Sequence, residues 1–302
     1  MAKREEAKQT KEQAEPVSFK AKALAFLKEF GIVFGAFLIL NNFVIASFLV
    51  PTGSMENEVM TGDLLFVNKF IYGGTSPRNI PFTNVRLPWF SVPGFRDVRR
   101  GDVIVFVFPG YRDEVESEEF TFYLKRCVGL PGDTIQVKNR VLSVNGEVLP
   151  LQRNQKFSFG RMADPTMVDD RVFPKGAPWN EDNYGPVIVP NRGMIIPLGP
   201  DNYASWEILI RREGHSIRFI NGQVEVDGRA ATEYVVQRDY LFGMGDHRDN
   251  SLDSRYWGFI PKENLVGTPL IVYWSWDTNI PIYNIFAKIG SVRWGRIGTL
   301  IR

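Results

Sequence analysis

Cysteine is almost missing from this chain: Cys127 is the only one in 302 residues. An intrachain disulfide is therefore impossible, and cysteine usage says nothing about the cellular compartment. Histidine is nearly as scarce, with His215 and His247 alone. Zinc held by cysteine and histidine is excluded, and a histidine-based triad has few residues to draw on. An excess of either charge is lacking too. Thirty-six basic residues stand against 34 acidic ones, with no dense basic stripe, so nothing supports a nucleic-acid surface. Aromatics, by contrast, are plentiful (23 Phe, 10 Tyr, 7 Trp), as are 27 Gly and 19 Pro. That mixture suits a turn-rich β structure better than a helical bundle. The length allows one large domain or two modest ones.

One stretch lacks charge altogether: FGIVFGAFLILNNFVIASFLV, Phe30 to Val50. As a helix it rises about 30 Å, the thickness of a bilayer's hydrocarbon core, so a membrane span is expected at 30–50. A cleaved signal peptide has a shorter apolar core, about 7–15 residues, close to the N-terminus; here residues 1–29 come first, and an uncleaved anchor fits better. Asn41-Asn42 needs partners or a position near the interface. Lys20, Lys22 and Lys28 flank the run on one side, whereas Glu56, Glu58, Asp63 and the single Lys69 follow on the other. The excess of positive charge on cytoplasmic flanks then predicts a cytoplasmic tail at 1–29, disordered over its Lys/Glu/Gln-rich first 19 residues, and an extracytoplasmic domain at 51–302.

Beyond the span, GDLLFVNKF (62–70), GDVIVFVF (101–108) and TFYLKRCVGL (121–130) are short apolar runs rich in Val, Ile and Phe. Each predicts a buried strand. IQVKNRVLSVNG (135–146) and IRFINGQVEVDG (217–228) resemble each other, and their Asn-Gly and Asp-Gly pairs signal hairpins. The Pro-, Gly- and Asn-rich stretch at 151–212 reads as an excursion, giving an inserted β subdomain at about 151–235. YRDEVESEEF (111–120) is an acidic, solvated connection.

Ser54 lies just past the apolar run, in VPTGSMENEV. A serine attacks a peptide only if some group takes its proton. Lysine can do so when neutral, yet only about one free lysine in two thousand is neutral at pH 7. Burial lowers the pKa, and a shift of about two units multiplies the neutral fraction by about a hundred. Lys125, inside FYLKRCVGL, sits in the kind of apolar strand this requires; taken alone, it reads better as an edge-strand lysine reaching out to water.

Four blocks in order, namely PTGSM beside the apolar run, YLKRCVGLPGD, GDHRDNSLDSRYWG at 245–258 and VRWGRIG at 292–298, resemble bacterial type I signal peptidases. These are membrane-anchored Ser/Lys proteases that remove signal peptides from exported proteins. The resemblance weakens only across 151–212. It implies an antiparallel β catalytic domain carrying an inserted β subdomain, plus one N-terminal transmembrane helix, in the bacterial cytoplasmic membrane, and no cofactor or metal. Carried over residue by residue, it makes Ser54 the nucleophile and Lys125 the general base. Thr52, with the Ser54 backbone N–H, would form the oxyanion hole. Ser251 would orient the lysine, Asp246, Asp253 and Arg255 would form a supporting ion-pair set with Asp246 pairing Arg126, and Gly245 would allow close backbone approach. Two departures stand out: Glu56-Asn57-Glu58 replaces the family's Pro-Thr pattern beyond Ser-Met, and His247 replaces an asparagine. Cys127 is read as packing.

The resemblance further implies cleavage after a small residue, with a second small residue three positions earlier (Ala-x-Ala). The substrate would lie extended against a strand edge, with Met55, Leu64 and Phe122 as candidate pocket walls. Partners would be signal-peptide-bearing preproteins, the lipid bilayer and the export machinery. LPWFSVPGF (87–95) and YWSWDTNIPIYNIF (273–286) are either core or aromatic surface at the headgroup level. Two other readings stay open on the residues alone: a different membrane-anchored Ser/Lys peptidase, and a non-enzymatic anchored envelope β protein.

Overall fold

The computed structural model describes residues 19–78, 85–151, 154–158 and 160–302. The chain divides into two compact units, Met1–Asn41 and Asn42–Arg302. The first contains helix α1, Phe19–Ile39. The stretch long and apolar enough to cross a membrane, by length and composition, is Lys22–Val44, 23 residues. The tail expected at residues 1–19 lies, apart from Phe19, outside the described residues.

The uncharged run at 30–50 is not one helix, and its expected bounds shift. A short π-helical turn at Leu40–Val44 follows α1, and Ile45–Leu49 is a strand, β1. It pairs antiparallel with β2, Asp63–Asn68, from Ile45 opposite Asn68 to Leu49 opposite Leu64. Lack of charge cannot distinguish an apolar helix from the apolar strand continuing it. The helix also starts earlier than expected, because Lys20, Lys22, Lys28 and Glu29 lie within its first turns.

The second unit is built on a seven-stranded antiparallel sheet. Besides β1 and β2 it contains β3, Val103–Val107, and β4, Phe122–Gly129, matching the three apolar runs of the sequence. All five β3 residues are buried because the sheet is covered on both faces. Ile104 and Phe106 enter one apolar cluster, while Val103, Val105 and Val107 enter a second, as the two-residue period of a strand requires.

After β4 the chain leaves the sheet. Strands β5 (Thr134–Lys138), β6 (Val141–Val144), β7 (Glu147–Val148) and β8 (Tyr184–Ile188) form a four-stranded sheet in the order β7-β6-β5-β8. There follow β9 (Ile195–Pro197), helix α2 (Tyr203–Arg212), and strands β10 (Ile217–Ile220), β11 (Gln223–Val226), β12 (Arg229–Ala230) and β13 (Glu233–Val235). The two similar sequence segments become two alike meanders: Ile135 pairs with Val144 and Ile217 with Val226. Asn145-Gly146, Asn221-Gly222 and Asp227-Gly228 turn their hairpins with positive φ at both positions, the geometry that favours these pairs.

The chain then re-enters the main sheet through β14 (Tyr240–Met244), helix α3 (Ser254–Trp257), β15 (Ile260–Pro261) and the long β16 (Leu265–Ser275). Final order is β1-β2-β16-β3-β4-β14-β15. Since β4 and β14 are hydrogen-bonded neighbours, the excursion spans everything between them, 130–239. That is wider than the 151–235 expected, because the first hairpin, β5–β6, pairs with β8 and not with the main sheet.

Candidate active site

Strands β1 and β2 form a hairpin whose long connection carries Ser54. Its base is closed by two backbone bonds, Val50 N–H to Asp63 O and Gly62 N–H to Val50 O, each 2.9 Å. The Asp63 carboxylate is buried and accepts from Arg296 (Nη2 at 2.6 Å), Ser275 Oγ (2.6 Å) and the Met60 amide (2.8 Å). Arg296 also donates to Glu58 O. One carboxylate thus ties the Ser54 loop to β16 and to the C-terminal segment.

Lys125 lies on β4, opposite Ile104 of β3. Its Nζ donates to Ser54 Oγ at 2.6 Å, and the two side chains are almost wholly buried, 4% and 9% exposed. Burial lowers the lysine pKa to about 8; Asp253 and Asp246 oppose that shift and Arg255 adds to it. At a pKa near 8, about a tenth of the side chain is neutral at pH 7. Cys127, two residues on, is buried in the apolar cluster, and burial pushes its thiol up to about 12.

The segment after β14 brings the remaining candidates together. Asp246 forms a bidentate pair with Arg126, at 2.7 and 2.6 Å. Asp253 caps α3 and pairs with Arg255 at 2.9 and 2.8 Å. Burial works against the Asp253 carboxylate, yet Arg255, Lys125 and the Gly245 amide hold its pKa below the ordinary value. Gly245 leaves no room for a side chain: a Cβ there would collide with Ser251 Oγ and approach Ser54 O to 2.6 Å. The lysine-orienting bond implied for Ser251 is not formed. Its Oγ is buried against Gly245 with no hydrogen-bond partner, while Lys125 bonds Ser54.

Thr52 is exposed and its hydroxyl is unbonded among the described residues. The Ser54 amide likewise makes no backbone hydrogen bond among them. Of the pocket candidates, Met55 is 1% exposed and packed in the second apolar cluster, with Sδ accepting from the Asp246 amide at 3.4 Å. Leu64 is half-buried between Leu49 and Trp274. Phe122 is exposed and stacks edge-on against Phe48, centroids 5.0 Å apart.

His247 holds the loop by its backbone, donating to Ser54 O at 3.1 Å. Its imidazole faces Ser158, Glu56 and Asp249. The Glu56-Asn57-Glu58 departure now has partners. Glu56 pairs with Lys156 at 3.0 Å, and Glu58 accepts from Asn154 and from the Arg302 amide. Lys156 N–H donates to Asp246 O, and Arg248 N–H to Lys156 O, so 154–158 runs as a strap beside the 246–248 segment. Sequence reasoning missed this strap. Its signal was the departure itself, three polar residues where the loop has to find new partners.

A buried serine hydroxyl bonded to a buried, depressed-pKa lysine is an arrangement that covalent hydrolysis can use. The family model described as signal peptidase, peptidase S26, matches residues 23–274, and the chain belongs to that family of serine endopeptidases. Among curated relatives, signal peptidase I of Pseudomonas aeruginosa is 30% identical over 279 residues, covering 88% of this chain and 78% of the relative. That of Buchnera aphidicola (subspecies Schizaphis graminum) is 29% identical, covering 86% and 81%. The enzyme of Haemophilus influenzae is 27% identical, covering 92% and 78%. A solved signal peptidase I from Enterococcus faecalis is 19% identical, with a TM-score of 0.25, covering 57% of this chain and 97% of its own. Family membership makes the chain an enzyme that removes signal peptides and sets aside the non-enzymatic reading.

Proposed function

We propose that Ser54 and Lys125 form the catalytic dyad and cleave preproteins after a small residue in an Ala-x-Ala context. The observation that supports this most directly is the buried 2.6 Å Nζ–Oγ hydrogen bond. Neutral Lys125 takes the Ser54 proton as Oγ attacks the scissile carbonyl carbon. The oxyanion is held by the Ser54 N–H and the Thr52 hydroxyl; such donors each supply about 3–4 kcal/mol. The tetrahedral intermediate collapses, the C–N bond breaks, and the ammonium of Lys125 protonates the leaving amine. Lys125 then deprotonates a water that attacks the ester, releasing the signal peptide's new carboxylate and restoring Ser54.

The substrate lies extended beside β1, the sheet's edge strand, which runs directly into the Ser54 loop; main-chain pairing of this kind needs no particular side chains. Met55, Leu64 and Phe122 are the pocket candidates. The domain faces the extracytoplasmic side of the bacterial cytoplasmic membrane, beside the export machinery, with the N-terminus cytoplasmic, as the lysines in the N-terminal part of α1 favour. Contact with lipid is supported by Ile282, Tyr283, Ile285 and Phe286, all widely exposed, and by Phe95; the core reading does not hold for these side chains.

Ser54→Ala and Lys125→Ala should each lower cleavage of a precursor carrying Ala-x-Ala by about a thousandfold or more, with thermal unfolding little changed. Near wild-type processing by purified Lys125→Ala protein overturns the dyad.

A further inference from the structure

The sheet edge of the excursion holds a cavity that the catalytic reading does not use. Its volume is about 290 Å³, and its walls include Val128, Leu142, Leu149, Leu151, Gln155 and Arg248. Among the described residues, Gln155 and Arg248 are the only polar side chains in that lining. Arg248 is 3% exposed, and its Nε is buried without a hydrogen-bond partner. No carboxylate among the described residues pairs with it: the adjacent Asp246 and Asp253 are committed to Arg126 and Arg255. Burial lowers even this guanidinium's pKa, to about 10.

Asp253 and Asp246 favour the Arg248 charge from nearby without bonding it, and a buried cation with no direct ion-pair partner is unusual, since such groups are ordinarily paired. The Nε–H lacks an acceptor, which an anion would supply, and the space beside it is greasy. We propose that this cavity binds a medium-chain fatty acid anion, its carboxylate on Arg248 and its hydrocarbon against Val128, Leu142 and Leu149. At the ~30 Å³ a water-sized group takes in a liquid, the volume holds about ten non-hydrogen atoms, the size of octanoate. A peptide would bring amide groups for which these aliphatic walls provide no partners. The site is independent of the dyad, although Arg248 follows Asp246 by two residues and bonds the 154–158 strap through its amide.

The test is saturation-transfer NMR of octanoate with the full chain in lipid nanodiscs, referenced to empty discs. Saturable binding is expected, at least tenfold weaker for octanamide, which keeps the chain and loses the charge. Arg248→Met should weaken octanoate at least tenfold. Val141→Trp, at an exposed rim position, should do the same by filling the mouth, with unfolding temperature unchanged. Absence of saturable binding, equal binding of octanamide, or wild-type affinity in Val141→Trp overturns the proposal.

Discussion

At the scale of single residues, Lys125 carries the sharpest expectation. A base that works only when neutral gains activity as pH rises, and its pKa of about 8 sets where. The kcat/KM for a model precursor should climb about tenfold per pH unit below 7 and level off above about 8.5. A profile still rising toward 10 means that the lysine is not desolvated in the working enzyme. The Ser54–Lys125 contact was legible only from the blocks taken together, since Lys125 alone reads as an ordinary strand lysine. The Arg126–Asp246 and Asp253–Arg255 pairs were legible only through the family resemblance, since nothing in the spacing of four charged residues dictates who pairs with whom. The burial of Met55 was not legible either: adjacency to Ser54 in sequence does not say how deeply a side chain packs.

At the scale of elements, the Ser54 loop depends on a carboxylate some distance from the chemistry. Arg296→Met leaves the Asp63 charge buried and only partly compensated, which typically costs about 3–5 kcal/mol. A lower unfolding temperature and a fall in kcat larger than any rise in KM are expected. Adding Asp63→Asn to Arg296→Met should recover part of both, because no buried charge then remains; a double variant worse than the single one contradicts this account. Element boundaries were the least legible part. The strands with internal Val and Ile runs were found where expected, but β1 was hidden at the end of a longer apolar run. Helix and strand look alike there, and only pairing with β2 decides.

At the scale of the whole molecule, that boundary has a practical effect. A chain begun at Asn42 keeps β1 and should unfold near the wild-type temperature. One begun at Pro51 loses the edge strand, uncovers Leu65 and Val67, and should melt at least several degrees lower by circular dichroism. Equal melting of the two forms means that β1 adds nothing to the sheet. The excursion's existence was visible in the sequence, its extent was not, because the first meander carries the same hairpin signals as a strand pair of the main sheet. Its topology matters for how such a chain can change. The excursion leaves from Gly129 and returns at Tyr240, on strands already side by side. For a loop pinned at both ends, each doubling of length costs only about 0.6 kcal/mol in closure entropy. The size of this insert is therefore nearly free to drift, and insertions or deletions within it leave the catalytic sheet's geometry alone. What cannot drift is the strap at 154–158. Having once gripped Glu56 and Glu58, it couples a length-tolerant region to the one loop that tolerates no displacement.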